Sequence, residues 1–133
     1  IEKNNFKINK SELNAYFGKR FEIFIRSNFH LFFNKYNSYG RYWYKENEID
    51  IVASNDKEIL FSECKYKDNI DAEKIYNELK EKSKLVNKEN KIEHYAIFAK
   101  SFKKKIKKEN LFLYDLKDIE KSFTNSICKI NTY

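Results

Sequence analysis

The chain has 133 residues, of which 41% are hydrophobic and 17% aromatic, and its mean hydropathy is −0.82. These values predict one domain with a packed core and exclude a disordered chain, while the lack of an apolar run of about 20 residues excludes a membrane helix. The 27 basic and 20 acidic residues give a net charge of +7 and a pI near 9.2, which favours an anionic partner such as nucleic acid. The same charge is also compatible with a role in solubility alone.

The ends of the chain and its cysteines bear on its cellular setting. The sequence opens on Ile1 and contains no methionine, which suits one domain of a longer polypeptide. No signal-peptide pattern is present, so we expect a soluble protein. Cys64 and Cys128 lack the spacing of a zinc site and predict reduced thiols in the cytoplasm.

The first predicted element is a long amphipathic helix. Ser11 is a suitable N-cap, and apolar residues recur at helical spacing from Leu13 to Phe32. The helix is therefore expected to continue to about Lys35.

Three strands follow, at residues 39–44, 48–54 and 58–66, and they are separated by polar turns. A second helix is predicted from about Asp71. Short apolar runs predict two further strands at residues 95–99 and 111–114, on either side of a lysine-rich segment that is expected to form a helical turn or more. A last helix is predicted at residues 116–123. The order αβββαβ predicts an α/β fold, with a mixed central sheet flanked by helices.

The second and third strands form a predicted hairpin that carries acidic residues. A turn centred between residues 55 and 56 would pair Asp50 with Phe61 and Glu48 with Glu63, and directly opposed residues share a face. Asp50 and Glu63 would then be diagonal neighbours, about 7–8 Å apart along the backbone. A register slip of one residue would turn Asp50 to the other face.

This hairpin predicts a metal site. Carboxylates crowded on a largely apolar face repel one another, and a hard divalent cation such as Mg²⁺ relieves that repulsion. Lys65 extends the same face, where an ammonium group can orient an attacking water molecule and stabilise charge on a phosphoryl group. The alternative is a solvated sheet face on which Lys65 only pairs with Glu63.

Glu22 is a fourth candidate, on the first helix. It lies off the centre of the apolar stripe, which is also typical of a solvated glutamate. Its small neighbours Ala15 and Gly18 would let this edge of the helix approach another backbone closely, and Glu22 would then reach the metal site.

These residues resemble the PD-(D/E)XK nuclease superfamily, with Asp50 on one strand, Glu63-Cys64-Lys65 on the next and Glu22 on the preceding helix. Segments 18–22, 40–44, 48–52 and 60–65 are similar to the C-terminal domain, of unknown function, of prokaryotic DEXX-box ATPases. This similarity extends from about Leu13 to Phe102.

The resemblance implies a single restriction-endonuclease-like domain over residues 1–133, joined to an AAA+-type ATPase in the same protein. It implies that Asp50, Glu63 and the carbonyl group of Cys64 bind Mg²⁺ or Mn²⁺, that Lys65 is the catalytic lysine and that Glu22 is an accessory acid. The sequence departs from the superfamily motif at its proline, because Ile49 precedes Asp50.

Two basic segments are candidates for binding nucleic acid. The densest run contains six lysines that would face phosphates while Phe102 and Ile106 anchor the segment, and a solvated face is the alternative. Arg41 and the aromatic residues 42–44 combine a cation with stacking surfaces, although such a strand more often packs in a core. The lysines of the run are Lys100, Lys103, Lys104, Lys105, Lys107 and Lys108.

The leading hypothesis is a Mg²⁺-dependent or Mn²⁺-dependent DNA endonuclease-like domain. A catalytically silent nuclease fold that binds DNA or regulates an ATPase is the second hypothesis. A third is a protein-interaction or homodimerisation domain, in which Trp43 and its neighbouring tyrosines form an exposed apolar patch. Neither glycine begins a P-loop, so nucleotide hydrolysis by this chain itself is not expected.

Overall fold

The computed structural model describes residues 9–131, and side chains as far as residue 125. This part of the chain is an α/β domain in which helices flank a five-stranded mixed sheet. None of its helices is sufficiently long and apolar to span a membrane. In chain order the elements are α1 (Lys10–Ser27), β1 (Ser38–Tyr44), β2 (Asn47–Ser54), β3 (Glu58–Lys65), α2 (Ala72–Ser83), β4 (Ile92–Ala99), β5 (Leu111–Tyr114) and α3 (Leu116–Asn131).

The strands lie in the order β1-β2-β3-β4-β5, so the sheet order follows the chain order. The two pairings among β1, β2 and β3 are antiparallel, and the pairings of β4 with β3 and β5 are parallel. A hydrophobic cluster on one face of the sheet includes α1 residues and Ile119 of α3, and the cluster on the other face includes α2 residues. The predicted α/β class and mixed sheet are confirmed.

The first helix is shorter than predicted. It begins after Asn9, whose side chain accepts a hydrogen bond of 2.8 Å from the backbone N–H of Glu12, so Asn9 is the N-cap instead of Ser11. It ends at Ser27, and a single 3-10 turn at Phe29–Leu31 follows. The apolar spacing continues beyond this point because Phe29 and its neighbours enter the core by way of the turn.

The predicted register of the β2–β3 hairpin is wrong by two residues. The structure pairs Ser54 with Ile59 and Val52 with Phe61, whereas the prediction placed Asp50 opposite Phe61. Asn55 explains the difference, because its side-chain oxygen accepts hydrogen bonds from the two residues at the end of the turn and so stabilises a longer loop. The shift is even in number, and it therefore leaves the faces of β3 unchanged.

A β-bulge lies in β2 at the position of Asp50. Gly40 pairs with Val52 and Tyr42 pairs with Ile49, so Asp50 and Ile51 together oppose the single residue between them on β1. A bulge of this kind re-aims the side chains at the extra residue. Ile49 consequently packs on the α2 side of the sheet, while Ile51 packs against α1.

Two predictions for the C-terminal third differ from the structure. The lysine-rich segment between β4 and β5 is irregular instead of helical, although Phe102 and Ile106 pack against the core as predicted. The last helix extends to Asn131, well beyond the predicted end at residue 123. The predicted reduced thiol of Cys128 lies outside the described side chains, whereas Cys64 is a free cysteine.

Candidate functional site

The candidate site lies where β2 separates from β3. Their ladder ends at the pair of Ile51 and Ser62, and beyond it the side chain of Asp50 takes the place of a backbone partner. Asp50 Oδ2 accepts a hydrogen bond of 2.9 Å from the backbone N–H of Cys64. The N–H and C=O groups of a strand residue project to the same edge, so the carbonyl of Cys64 is directed towards Asp50 as well.

Glu63 is the most deeply buried acid of the site. It lies on β3 and retains only 5% of its accessible surface. Its Oε1 atom is 3.5 Å from the backbone nitrogen of Asp50, a long hydrogen bond. Glu63 is therefore buried and Asp50 partly buried, whereas the alternative interpretation placed both on a solvated sheet face.

Glu22 reaches the same site from α1. It is 9% exposed, so it is not a solvated glutamate, and one of its carboxylate oxygens lies close to those of Asp50 and Glu48. The predicted reason was wrong, because a Cβ atom built at Gly18 would meet no heavy atom within 4 Å. Gly18 and Ala15 instead line the open cleft in front of the site.

The carboxylates form two overlapping groups. One oxygen from each of Glu22, Glu48 and Asp50 lies within 4.8 Å of the others, close enough to hold a metal ion. Glu63 is outside this group, and its nearest polar contact on β2 is the backbone of Asp50. Asp50 is therefore common to the observed group and to the predicted pair of Asp50 and Glu63.

Basic side chains neutralise much of this acidity. Arg26 contacts Glu22 at 2.8 Å, and Arg41 contacts Glu48 at 2.7 Å and Glu22 at 3.7 Å. The two oxygens of Glu63 face two different lysines. Their distances are 3.8 Å to the Nζ of Lys65 and 3.6 Å to the Nζ of Lys82.

At Asp50 and Glu63, the desolvation caused by burial nevertheless outweighs the effect of these cations on the pKa. Desolvation, reinforced by the nearby Asp50 carboxylate, raises the pKa of Glu63 to about 7 despite both lysines. The pKa of Asp50 is also raised, mainly by burial, although the hydrogen bond from Cys64 opposes the rise. The pKa of Glu48 is lowered by its hydrogen bond from Arg41. Asp50 and Glu63 are thus the acids whose negative charge is least well compensated.

These residues line an open cleft of about 1070 Å³. One wall is a face of α1 with small and polar residues, and the opposite wall includes the residues that follow β3 and β4. The cleft contains five acids of the site and its rim together with six lysines, which are Lys10, Lys19, Lys65, Lys67, Lys82 and Lys100. The cleft therefore brings the acids of the site and several lysines together.

The structure separates the residues that were predicted to bind nucleic acid. Lys100 lines the cleft, with its Nζ 4.8 Å from the centre of the Tyr66 ring. Lys105 pairs with Asp115 and Asp118, and Lys108 lies 3.7 Å from Glu73, so both are partly neutralised. Among the described residues, Lys103, Lys104 and Lys107 are exposed and have no ion pair within 4.0 Å. Arg41 is engaged with the acids of the site.

Sequence reasoning missed two members of the site. Glu48 was placed on the correct strand but was not selected as a ligand, and Lys82 was not considered. A signal for Lys82 was present, because it continues the stripe of Ile75 and Leu79 at helical spacing towards the sheet. Its charged end reaches Glu63 while the apolar residues of the stripe pack in the core.

Comparison with known proteins places this chain in a family. Residues 1–75 match the DUF234 family, described as archaeal and bacterial proteins of unknown function. An uncharacterized protein of Methanocaldococcus jannaschii is 37% identical over 131 residues, an alignment that covers 89% of this chain and 29% of that relative. No solved structure matches the chain. Since the family match covers more than half of its residues, the chain belongs to the DUF234 family of archaeal and bacterial proteins.

Proposed function

We propose that this domain is a nuclease of the PD-(D/E)XK kind, which hydrolyses phosphodiester bonds in DNA with the help of Mg²⁺ or Mn²⁺. One observation carries the proposal: Asp50, Glu63 and Lys65 meet where β2 separates from β3, in a cleft lined by lysines. Two acids can hold a metal ion, a lysine can orient water and stabilise charge on phosphate, and lysines around the cleft can attract a polyanionic substrate, so together these residues can support metal-assisted phosphodiester hydrolysis.

The donor set fits a hard divalent cation. Such ions take oxygen ligands, and the site offers the carboxylates of Asp50 and Glu63 together with the carbonyl of Cys64, which follows Glu63 on β3. Without a cation, burial raises the pKa of Asp50 and of Glu63, so the charged form of each acid is poorly stabilised. A nearby dication would stabilise that charged form, which supports the fit. A bound cation would polarise the phosphoryl group and lower the pKa of a water molecule.

The chain's own residues have separate roles in the proposal. Lys65 lies 3.8 Å from Glu63 and is 37% exposed at its side chain, so it can reach both the acid and a substrate in the cleft. We assign to it the orientation of the attacking water and the stabilisation of charge on phosphate. Glu22 and Glu48 complete the negative potential on the α1 side of Asp50.

The larger setting of the domain is also a proposal. The match covers only 29% of the relative from Methanocaldococcus jannaschii, so most of that protein lies outside the segment shared with this chain. This arrangement supports a domain that is joined to other functions. We propose that the partner is an ATPase in the same protein and that DNA is the substrate the two share.

A second candidate is a catalytically silent module that binds DNA or regulates the ATPase. The ion pairs of Lys65 and Lys82 with Glu63 favour it, because cations supplied by the protein already contact a carboxylate that the metal ion would need. Arg26 and Arg41 likewise pair with the neighbouring acids Glu22 and Glu48. Such a module would bind duplex DNA in EDTA and leave it uncut when Mg²⁺ or Mn²⁺ is added.

The test separates metal binding from chemistry. Mg²⁺ or Mn²⁺ should raise the thermal midpoint of the wild type by mass action, and Asp50→Asn and Glu63→Ala should abolish this shift. Lys65→Ala should keep the metal-induced shift and lose cleavage of supercoiled, linear or branched DNA. Cleavage by Lys65→Ala at the wild-type rate would refute the mechanism. No cleavage by the wild type, even with its partner domains restored, would favour the silent module.

A further inference from the structure

Trp43 is the most exposed large hydrophobic residue in the described part of the chain. It lies near the end of β1, next to the β1–β2 turn, and 73% of its surface is accessible. Its Nε1–H donates a hydrogen bond of 3.0 Å to the carbonyl of Lys45 in that turn. The polar atom of the indole is therefore satisfied, while its ring remains available for contact with a ligand.

The position of Trp43 relates it to the cleft. Trp43 pairs directly with Glu48, and directly opposed residues of an antiparallel pair share a face. Glu48 lines the cleft and contributes to the carboxylate group with Asp50. Tyr42, the preceding residue, packs in the core on the α2 side, which is consistent with Trp43 on the opposite face. Trp43 is thus the strand neighbour of a residue that lines the cleft and lies on the same face of the sheet.

The surroundings of this ring are charged. Arg41 lies two residues earlier on the same face and contacts Glu48, and Lys45 follows in the turn, with its Nζ 5.3 Å from the centre of the Tyr44 ring. Six lysines line the neighbouring cleft, to which Glu48 also contributes. The core of a protein–protein interface is depleted in charged residues, whereas sites for single-stranded nucleic acid combine aromatic rings with a basic groove.

We propose that Trp43 stacks on an unpaired nucleobase, so that the strand entering the cleft is single-stranded nucleic acid or the unpaired end of a duplex. Bases in a duplex are stacked on one another and offer no free face to a side chain that projects from a surface, whereas an unpaired base offers both. This inference rests on the proposed function, because it names the substrate class of the same cleft.

The test uses Trp43 as its own reporter, because it is the only tryptophan of the chain. The intact protein in EDTA is titrated with a thymidine oligonucleotide, with a duplex of the same length and with inorganic polyphosphate, while indole emission is recorded. The single strand should quench the emission, and the duplex and polyphosphate should leave it unchanged. A change produced equally by polyphosphate would overturn the proposal, because polyphosphate has no base.

Variants measure the contribution of the ring. By anisotropy of a labelled oligonucleotide, Trp43→Leu should weaken single-strand binding about 5-fold to 150-fold, the range expected for the loss of one stacked base. Trp43→Phe should retain most of the affinity. Tyr39→Leu is the matched control, because Tyr39 is an exposed aromatic residue (42%) near the other end of β1. The Tyr39→Leu variant should bind the oligonucleotide with the affinity of the wild type.

The results also distinguish this inference from the proposed function. Unchanged single-strand affinity in Trp43→Leu would overturn the stacking role, and a simultaneous loss of self-association by light scattering would assign the ring to a protein interface. Neither result affects the assignment of Asp50, Glu63 and Lys65, which is tested by cleavage with Mg²⁺. Conversely, base-dependent quenching without cleavage, even with the partner domains restored, would support the role of Trp43 and favour the silent module over the nuclease.

Discussion

Replacing Glu63 by Gln should stabilise the protein in EDTA at alkaline pH. The ordinary pKa of a glutamate is 4.5, and the folded protein raises it to about 7 for Glu63, which means that folding favours the protonated form. The stability from this preference is fully present below pH 4.5 and is lost as the pH rises through 7. Glutamine has the shape of the protonated acid but does not ionise, so Glu63→Gln should keep that stability at every pH.

The size of the effect follows from the same pKa values. The difference between 4.5 and about 7 corresponds to about 3 kcal/mol at 1.36 kcal/mol per pH unit. Solvent screening reduces this value little, because the side chain of Glu63 is 6% exposed. For a domain of this length the expected rise of the thermal midpoint is roughly 10 °C at pH 8.5, with almost no difference at pH 4.

The assay is thermal unfolding of the wild type and Glu63→Gln between pH 4 and pH 8.5, first in EDTA and then in Mg²⁺. In EDTA the advantage of the variant should grow with pH through the interval from 4.5 to 7. In Mg²⁺ the wild type should gain stability and the variant should not, because its amide is a poor metal ligand. A variant that is less stable than the wild type at pH 8.5 in EDTA would refute the reasoning, because Lys65 and Lys82 would then compensate the charge fully.

Two further predictions concern the surface and the first helix. Reversing Lys103, Lys104 and Lys107 to Glu should weaken DNA binding and lower its salt dependence by about 0.9 in slope for each phosphate contact removed, and equal affinity at every salt concentration would contradict this. Asn9→Ala should lower the free energy of unfolding by about 1 kcal/mol, because α1 loses its N-cap, as measured by urea denaturation. Its metal-induced midpoint shift should remain, and loss of that shift would mean that Asn9 contributes to the site.

The order of the elements could be predicted because the sequence alternates clearly between strand and helix patterns. Apolar runs at β4 and β5 are bounded by polar residues, and the stripe of Ile75 and Leu79 is typical of a helix on a sheet. The end of α1 could not be predicted in this way. The phenylalanines after Ser27 keep helical spacing, although they enter the core from a 3-10 turn.

The acids of the site could be selected from their spacing, but their arrangement could not. Asp50 and Glu63 lie on adjacent strands as expected, yet the loop at Asn55 shifts the register and the bulge re-aims Asp50. Two of the cations that contact the acids come from other elements of the fold. Arg41 and Lys82 reach the site through tertiary packing, which the local patterns used to locate strands and helices do not encode.

The bulge in β2 allows consecutive residues to serve two different purposes. In a regular strand, consecutive side chains point to opposite faces of the sheet, so only one of two neighbouring residues can face α1. With one residue added, Ile51 packs with α1 while Asp50, next to it, places its carboxylate beside Glu22 on the same helix. The number of residues in the strand at this point, as well as their identity, therefore determines where the Asp50 carboxylate lies.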